Sequence, residues 1–184
     1  MPAPVVLILA AGRGERFLTS GGSTHKLAAQ LNGKPVLEHV IEAVETANLR
    51  GHLVCPEGGT CGMGESISLG VHATLEAQGW LILPADLPLI QPYSLQRVAA
   101  ELEENSVVVP HHQHHSGHPV GFRHEHRAEL LALSGDTGAK EIVRRARQRG
   151  EAKDIFLSDQ GITHDIDTLA DLQAAQRLID LSRV

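Results

Sequence analysis

Cysteine is nearly absent. The 184-residue chain has two, Cys55 and Cys61, which make neither a disulfide framework nor a CxxC redox or zinc motif. Both are expected to be structural, since a free thiol usually behaves as a small buried hydrophobe. No apolar run reaches the roughly 18 residues of a membrane-spanning helix, so no membrane partner is expected. The opening Met1-Pro2-Ala3-Pro4 has no basic region ahead of its apolar stretch, which argues against a signal peptide and for a cytoplasmic protein. Basic clusters are also scarce. The chain sets 16 Lys and Arg against 22 Asp and Glu, a formal charge of -6, which argues against broad nucleic-acid binding. One local run, Arg144-Arg145-Ala146-Arg147, reads as a solvated helix face. What remains is ordinary, with 42% hydrophobic and 21% charged residues. The length suits a single domain over residues 1–184 that covers both faces of a sheet.

The apolar run at residues 5–9, ending at Ala10-Ala11-Gly12, reads as a strand buried on both faces. Residues 37–47 place Leu37, Val40, Ile41 and Val44 on one helical stripe. Strands are expected at 52–55, 80–83, 107–109, near 120–122 and at 155–157. Helices are expected at 66–78, 93–103, near 125–133, at 139–149 and at 169–181, with Thr168 and Asp171 as a capping pair for the last. This alternation predicts an α/β fold, three-layer α/β/α around a mostly parallel sheet, with functional residues at the carboxyl ends of strands.

Three stretches carry chemistry. Leu9-Ala10-Ala11-Gly12-Arg13-Gly14-Glu15-Arg16-Phe17 follows a buried strand. Its glycines let backbone N–H groups close on phosphate oxygens, while Arg13, Arg16 and Lys26 add positive charge. Phe17 stands where a dinucleotide fingerprint has its third glycine. Leu83-Pro84-Ala85-Asp86-Leu87-Pro88 ends a strand with a carboxylate stiffened between prolines, suited to a divalent ion or to capping the next segment. In His164-Asp165-Ile166-Asp167-Thr168, alternation puts Asp165 and Asp167 on one side of an extended segment, and either can supply a second metal ligand.

These stretches resemble the MobA-like NTP transferase superfamily, a Rossmann-like nucleotide-diphospho-sugar transferase fold, and most closely its molybdenum cofactor cytidylyltransferase branch. The branch is favoured by Gly62-Met-Gly-Glu-Ser-Ile-Ser-Leu-Gly70, Gly117-His-Pro-Val120 and Gly135-Asp-Thr-Gly-Ala-Lys140. The resemblance implies nucleotide binding by Leu9, Ala10, Ala11, Gly12, Arg13, Gly14, Pro84 and Ala85, with Arg16 and Lys26 neutralising the triphosphate. It implies Mg2+ on Asp86 and Asp167, with Arg16, Lys26 and Asp86 catalytic. Gly64, Ser66 and Ser68 would approach the base or ribose; Gly117, His118, Pro119, Asp136 and Gly138 would face the acceptor. Lys26 lies beyond a connection, residues 18–25, longer than the family's usual spacing.

The resemblance further implies CTP as nucleotide, molybdopterin as phosphorylated acceptor and transient contact with a molybdoenzyme. Alternatives of the same class are a guanylyltransferase or an enzyme acting on sugar or alcohol phosphates. A non-catalytic pterin-cofactor carrier is the alternative from another class. A nicotinamide dehydrogenase would need the missing glycine and an acidic residue closing the second strand, where only Glu57 stands, beyond Pro56. His111, His112, His114, His115 and His118 crowd eight positions, as in some metal-binding tracts. With no partner cysteine or HExxH spacing, they read as an exposed loop in which His118 is the functional member.

Overall fold

The computed structural model describes residues 3–183. Met1 and Pro2, part of the stretch read for a leader, lie outside these, as does Val184. Strand β1 (Val5–Leu9) sends Val5 and Leu7 to one face and Val6 and Ile8 to the other. Both faces are covered, so the strand has no polar position. It pairs in parallel with β4 (Arg50–Val54) on one edge and with β5 (Gly79–Pro84) on the other. Beyond β5, the antiparallel β8 (Val120–Arg123) is followed by β6 (Val107–His112), and β9 (Ala152–Phe156) runs parallel to β6. The two-residue β7 (His115–Ser116) folds back on the end of β6. The sheet is therefore mixed and mostly parallel: β1, β4, β5, β6 and β9 run one way, β7 and β8 the other.

Helices cover both faces. Helices α2 (Val36–Thr46), α4 (Pro92–Glu101) and α7 (Leu169–Ser182) lie over Val6, Ile8, Leu81 and Leu83. Helices α3 (Met63–Ala73), α5 (Arg127–Leu131) and α6 (Lys140–Gln148) lie over Val5, Leu7, Trp80 and Ile82. Each large aliphatic or aromatic side chain so removed from water contributes about 1.5–3 kcal/mol. Trp80 is buried without an orphan polar group: its indole N–H donates to Thr74 Oγ1 (2.9 Å), whose hydroxyl donates to Gly70 O (2.8 Å). Thr168 and Asp171 form a reciprocal capping box at the start of α7. The arginines of α6 are exposed and paired with Glu141, Glu129 and Asp154, as a solvated face requires.

Several expectations change. Strand β6 continues through Pro110 to His112, because Pro110 falls between the residues paired with β8 and those paired with β7, and its carbonyl still accepts from Gly117 N (2.8 Å). The helix expected near 125–133 is broken. A 3-10 turn, His124–His126, precedes α5, and buried His126 is held by Glu129 and Ser106. Helix α3 begins at Met63 and ends at Ala73, earlier at both ends than expected. Small features not foreseen include helix α1 (Glu15–Thr19), directly after the glycine-rich loop, the hairpin of β2 (Gln30–Leu31) and β3 (Lys34–Pro35), strand β7 and a 3-10 turn at Gln160–Ile162. Cys55 and Cys61 are both exposed, not buried. Each belongs to the loop after β4, outside the core.

Candidate active site at the carboxyl edge of the sheet

The parallel strands deliver their carboxyl ends to one edge, and the reversed β8 brings its beginning there too. Around this edge lies a cleft of about 1120 Å³, ample for a nucleotide. One wall is the chain leaving β1, from Leu9 and Ala10 through Ala11, Gly12, Arg13 and Gly14 to Arg16. Gly14 sits at φ 68°, a left-handed conformation that a side chain resists. A Cβ there would also stand 3.2 Å from the His25 ring. His25 holds this loop. Leu27 N donates to its Nδ1 (3.2 Å), which places the ring proton on Nε2, 2.7 Å from the Gly12 carbonyl.

The long connection after Phe17 turns back compactly. Phe17 is buried, filling the core where a third glycine would leave a gap. Gly22 lies so close to its ring that a Cβ would approach to 2.3 Å. Ser20 Oγ accepts from Leu169 N at 2.8 Å, fastening the connection to α7. The chain thereby delivers Lys26 into the cleft, where its Nζ donates to Asp86 Oδ2 (2.9 Å) and Asp167 Oδ1 (3.3 Å). Burial alone would depress the Lys26 ammonium. The charges and hydrogen bonds of Asp86 and Asp167 outweigh burial and hold its pKa above the ordinary value.

Asp86 follows β5, and its backbone carbonyl accepts from Ile166 N (2.9 Å), so the strand end lies beside the segment before α7. Asp86, Asp165 and Asp167 then offer oxygens within 4.8 Å of one another. Burial and the adjoining Asp167 carboxylate raise Asp165 above the usual carboxylate range. Asp167 is lowered, because Asp165, Lys26 and Arg16 together outweigh the effect of its burial. An oxygen set beside a phosphate-sized cleft fits a hard divalent ion, for which Asp86 and Asp167, with Asp165 adjoining, would be the protein ligands. Arg16 Nη1 approaches Asp167 Oδ2 at only 3.5 Å with its side chain 80% exposed. Such a pair is worth about 0–1 kcal/mol, leaving the guanidinium available to an incoming anion.

The opposite wall comes from the turn before β8. Gly117 and His118 line the cleft, and His118 N donates to Ile162 O (2.9 Å). A Cβ on Gly117 would meet that same carbonyl at 2.5 Å. The His118 ring is not part of an exposed loop as expected. Its Nδ1 is buried with no hydrogen-bond partner, and burial pushes the imidazole below its ordinary pKa, so it is neutral near pH 7. Of the other histidines, His115 also lines the cleft, whereas His111 and His112 are engaged elsewhere. His111 bonds Asp154 (2.7 Å) and stacks on Phe156, and His112 bonds Leu157 O. Among the described residues, the three-aspartate group is the only one arranged to hold a metal.

A buried carboxylate outside the cleft fixes this wall. Asp159 accepts from Gln91 N (2.9 Å), Ser94 Oγ (2.7 Å) and Gly161 N (2.8 Å). It thus ties the start of α4 to the segment carrying Ile162, Asp165 and Asp167.

The remaining expected residues divide. Ser66, Pro84 and Asp136 line the cleft, whereas Gly64, Ser68, Ala85, Pro119 and Gly138 stand behind its surface. Gly64 packs under the loop after α5, where a Cβ would meet the carbonyls of Thr137 and Ser134, so it seats the first turn of α3 against that loop. Ser68 Oγ is committed to Leu131 O (2.9 Å). Ala85 N donates to Leu9 O (3.0 Å), turning that residue into the sheet. Pro119 is buried, and Gly138 packs on the Met63 side chain. Sequence reasoning passed over His25, Thr60, Cys61 and Thr163. Only His25 had a signal, its place beside Lys26.

A glycine-rich turn after the first strand, two exposed arginines, a lysine and three carboxylates at the carboxyl edge of an α/β sheet are the outline of a nucleotidyltransferase. The chain belongs to the MobA-like NTP transferase domain family, which it matches over residues 6–60 and 48–152. It is 33% identical over 112 residues to the bifunctional protein GlmU of Legionella pneumophila subsp. pneumophila (strain Philadelphia 1), covering 50% of this chain and 23% of that one. The chain spans between 19% and 27% of the length of the curated relatives it matches. Its fold superimposes on the crystal structure of Rv0371c from Mycobacterium tuberculosis H37Rv with a TM-score of 0.77 and 19% identity, over 96% of this chain and 99% of that one. Rv0371c has also been solved as a complex with manganese. Molybdopterin-guanine dinucleotide biosynthesis protein A from Archaeoglobus fulgidus gives a TM-score of 0.61 at 15% identity, over 96% and 99% of the two chains.

Proposed function

We propose that this chain transfers a nucleoside monophosphate from a triphosphate, CTP, to the phosphate of molybdopterin, releasing pyrophosphate, with Mg2+ on Asp86 and Asp167. The observation that carries the reading is the meeting of Lys26, Asp86 and Asp167 beside the glycine-rich turn, with the exposed Arg16 only loosely paired to Asp167. An oxygen of the acceptor phosphate attacks the α-phosphorus in line. The bond to the β-phosphate oxygen breaks, and pyrophosphate leaves with that electron pair.

The protein has little covalent work in such a step, so rate comes from placement and fixed charge. The Gly12–Gly14 backbone, steadied by His25, receives the phosphates. Arg16 and Lys26 offset charge building on the leaving pyrophosphate. When bound, the magnesium ion would supply further charge neutralisation at the phosphates. On the acceptor side, the neutral His118 imidazole adds no charge, and Gly117 lets the turn that carries it pack against the Ile162 carbonyl. CTP and molybdopterin are favoured by the stretches around Gly62, Gly117 and Gly135, and the likeness to the Archaeoglobus protein makes the guanine form the second reading.

Incubating the protein with each triphosphate, Mg2+ and molybdopterin and following pyrophosphate tests both. Release with CTP alone is expected, and release with GTP alone would favour the guanine form. No release with any triphosphate, given a competent acceptor, would overturn the enzyme reading in favour of a carrier.

A further inference from the structure

The Lys26 ammonium is bonded to two of the carboxylates that would hold a divalent ion. Its Nζ is 2.9 Å from Asp86 Oδ2 and 3.3 Å from Asp167 Oδ1, and those residues with Asp165 make the oxygen group described above. A magnesium ion bonds oxygen at about 2.0–2.1 Å, so ion and ammonium draw on the same lone pairs and the same space. Two cations that close repel strongly in a partly buried site. The lysine and Asp86 side chains are only 14% and 17% exposed, so an ammonium expelled without a new partner would remain poorly solvated. Phosphates arriving along the adjoining glycine-rich turn supply that partner, and the four-carbon stem lets the ammonium move while the backbone stays.

We propose that Lys26 is the resident counter-ion of the free enzyme's carboxylates, that a divalent ion must displace it, and that the ion therefore enters with the nucleotide rather than ahead of it. This rests on the assignment of Asp86 and Asp167 as metal ligands made above. Lys26 thus serves two anions in turn, the carboxylates first and the phosphates afterwards.

Mn2+ binding to nucleotide-free protein, read by electron paramagnetic resonance of the free ion, tests the exchange without any turnover. Lys26→Met and Lys26→Gln should each bind Mn2+ about tenfold or more tightly than wild type, because the competing cation is gone. Equal or weaker binding in the variants would overturn the proposal. The wild-type chain gives a second reading that needs no variant. Acetic anhydride labelling of Lys26, normalised to Lys153, should rise when Mn2+ saturates the protein; unchanged labelling or protection would refute displacement. The two failures are separable. Tighter Mn2+ binding in the variants with no pyrophosphate release sinks the reaction assigned above and leaves the exchange standing. Turnover with unchanged Mn2+ affinity sinks the exchange alone.

Discussion

Replacing Asp159 should weaken the whole carboxyl edge, although this residue is outside the cleft. Its side chain is 5% exposed and accepts three hydrogen bonds, two on Oδ2 from Gln91 N and Ser94 Oγ and one on Oδ1 from Gly161 N. An asparagine keeps the shape but turns one acceptor into a donor. If its oxygen faces Gln91, its amide meets Gly161 N–H; if reversed, its amide meets Gln91 N–H. The Ser94 hydroxyl can rotate to suit either, so one buried backbone N–H is left unsatisfied, costing about 1–3 kcal/mol. Alanine abandons all three donors and leaves a small void, costing about 3–5 kcal/mol. In a chain of this size 1 kcal/mol moves the midpoint by about 2–4 °C, so Asp159→Asn should melt about 5 °C below wild type and Asp159→Ala about 10 °C or more below. Differential scanning calorimetry measures both. The reasoning fails if Asp159→Ala melts within about 2 °C of wild type, or if asparagine is worse than alanine.

Asp86→Ala should lower pyrophosphate release by at least about 10³-fold, by loss of metal and charge placement, while circular dichroism shows the fold retained; an active variant would sink the metal assignment. Gly64→Ala drives a Cβ into the carbonyls of Thr137 and Ser134, backbone that cannot swing aside, and should cost about 1–3 kcal/mol in a urea melt. An unaffected melt would mean that the loop yields freely. His118 also sets a pH dependence. Its folded pKa is below its ordinary value of 6.5, so the unfolded chain binds the extra proton first. The stability tied to its neutral form is complete above pH about 6.5 and is lost as pH falls through the lower folded value. His118→Asn should flatten that part of the acid limb in melts between pH 7 and 5, and an unchanged limb would refute it.

Much of this edge was legible because strand ends are written locally. The run before Gly12 and the run before Asp86 are apolar throughout, as strands buried on both faces must be, and each ends in residues able to do something only at an edge. The capping box at Thr168 was equally local. Legibility stopped where tertiary contact decides. Gly64 and Ser68 share a helix with Ser66, yet their neighbours come from the end of α5 and the loop after it, more than sixty residues away in sequence. The ring nitrogen of His118 is buried, and no spacing announces that. One miss was avoidable. Asn32-Gly33, both at positive φ, is a strong hairpin signal between Leu31 and Lys34, overlooked because the strands it joins have two residues each.

The reversal of β8 divides the cleft by ancestry of support. The wall proposed to take the nucleotide hangs from β1 and β5, neighbours locked in parallel register, while the wall proposed to face the acceptor hangs from the hairpin region of β6, β7 and β8, with its seam along the β5–β8 pairing. A change of length between Ser116 and Val120 would reshape that wall without shifting a residue pair between β1 and β5. On the proposed reading, the architecture is a fixed phosphate press with an exchangeable jaw, in which new acceptors would be accommodated by editing one short turn while the triphosphate half remains as it is.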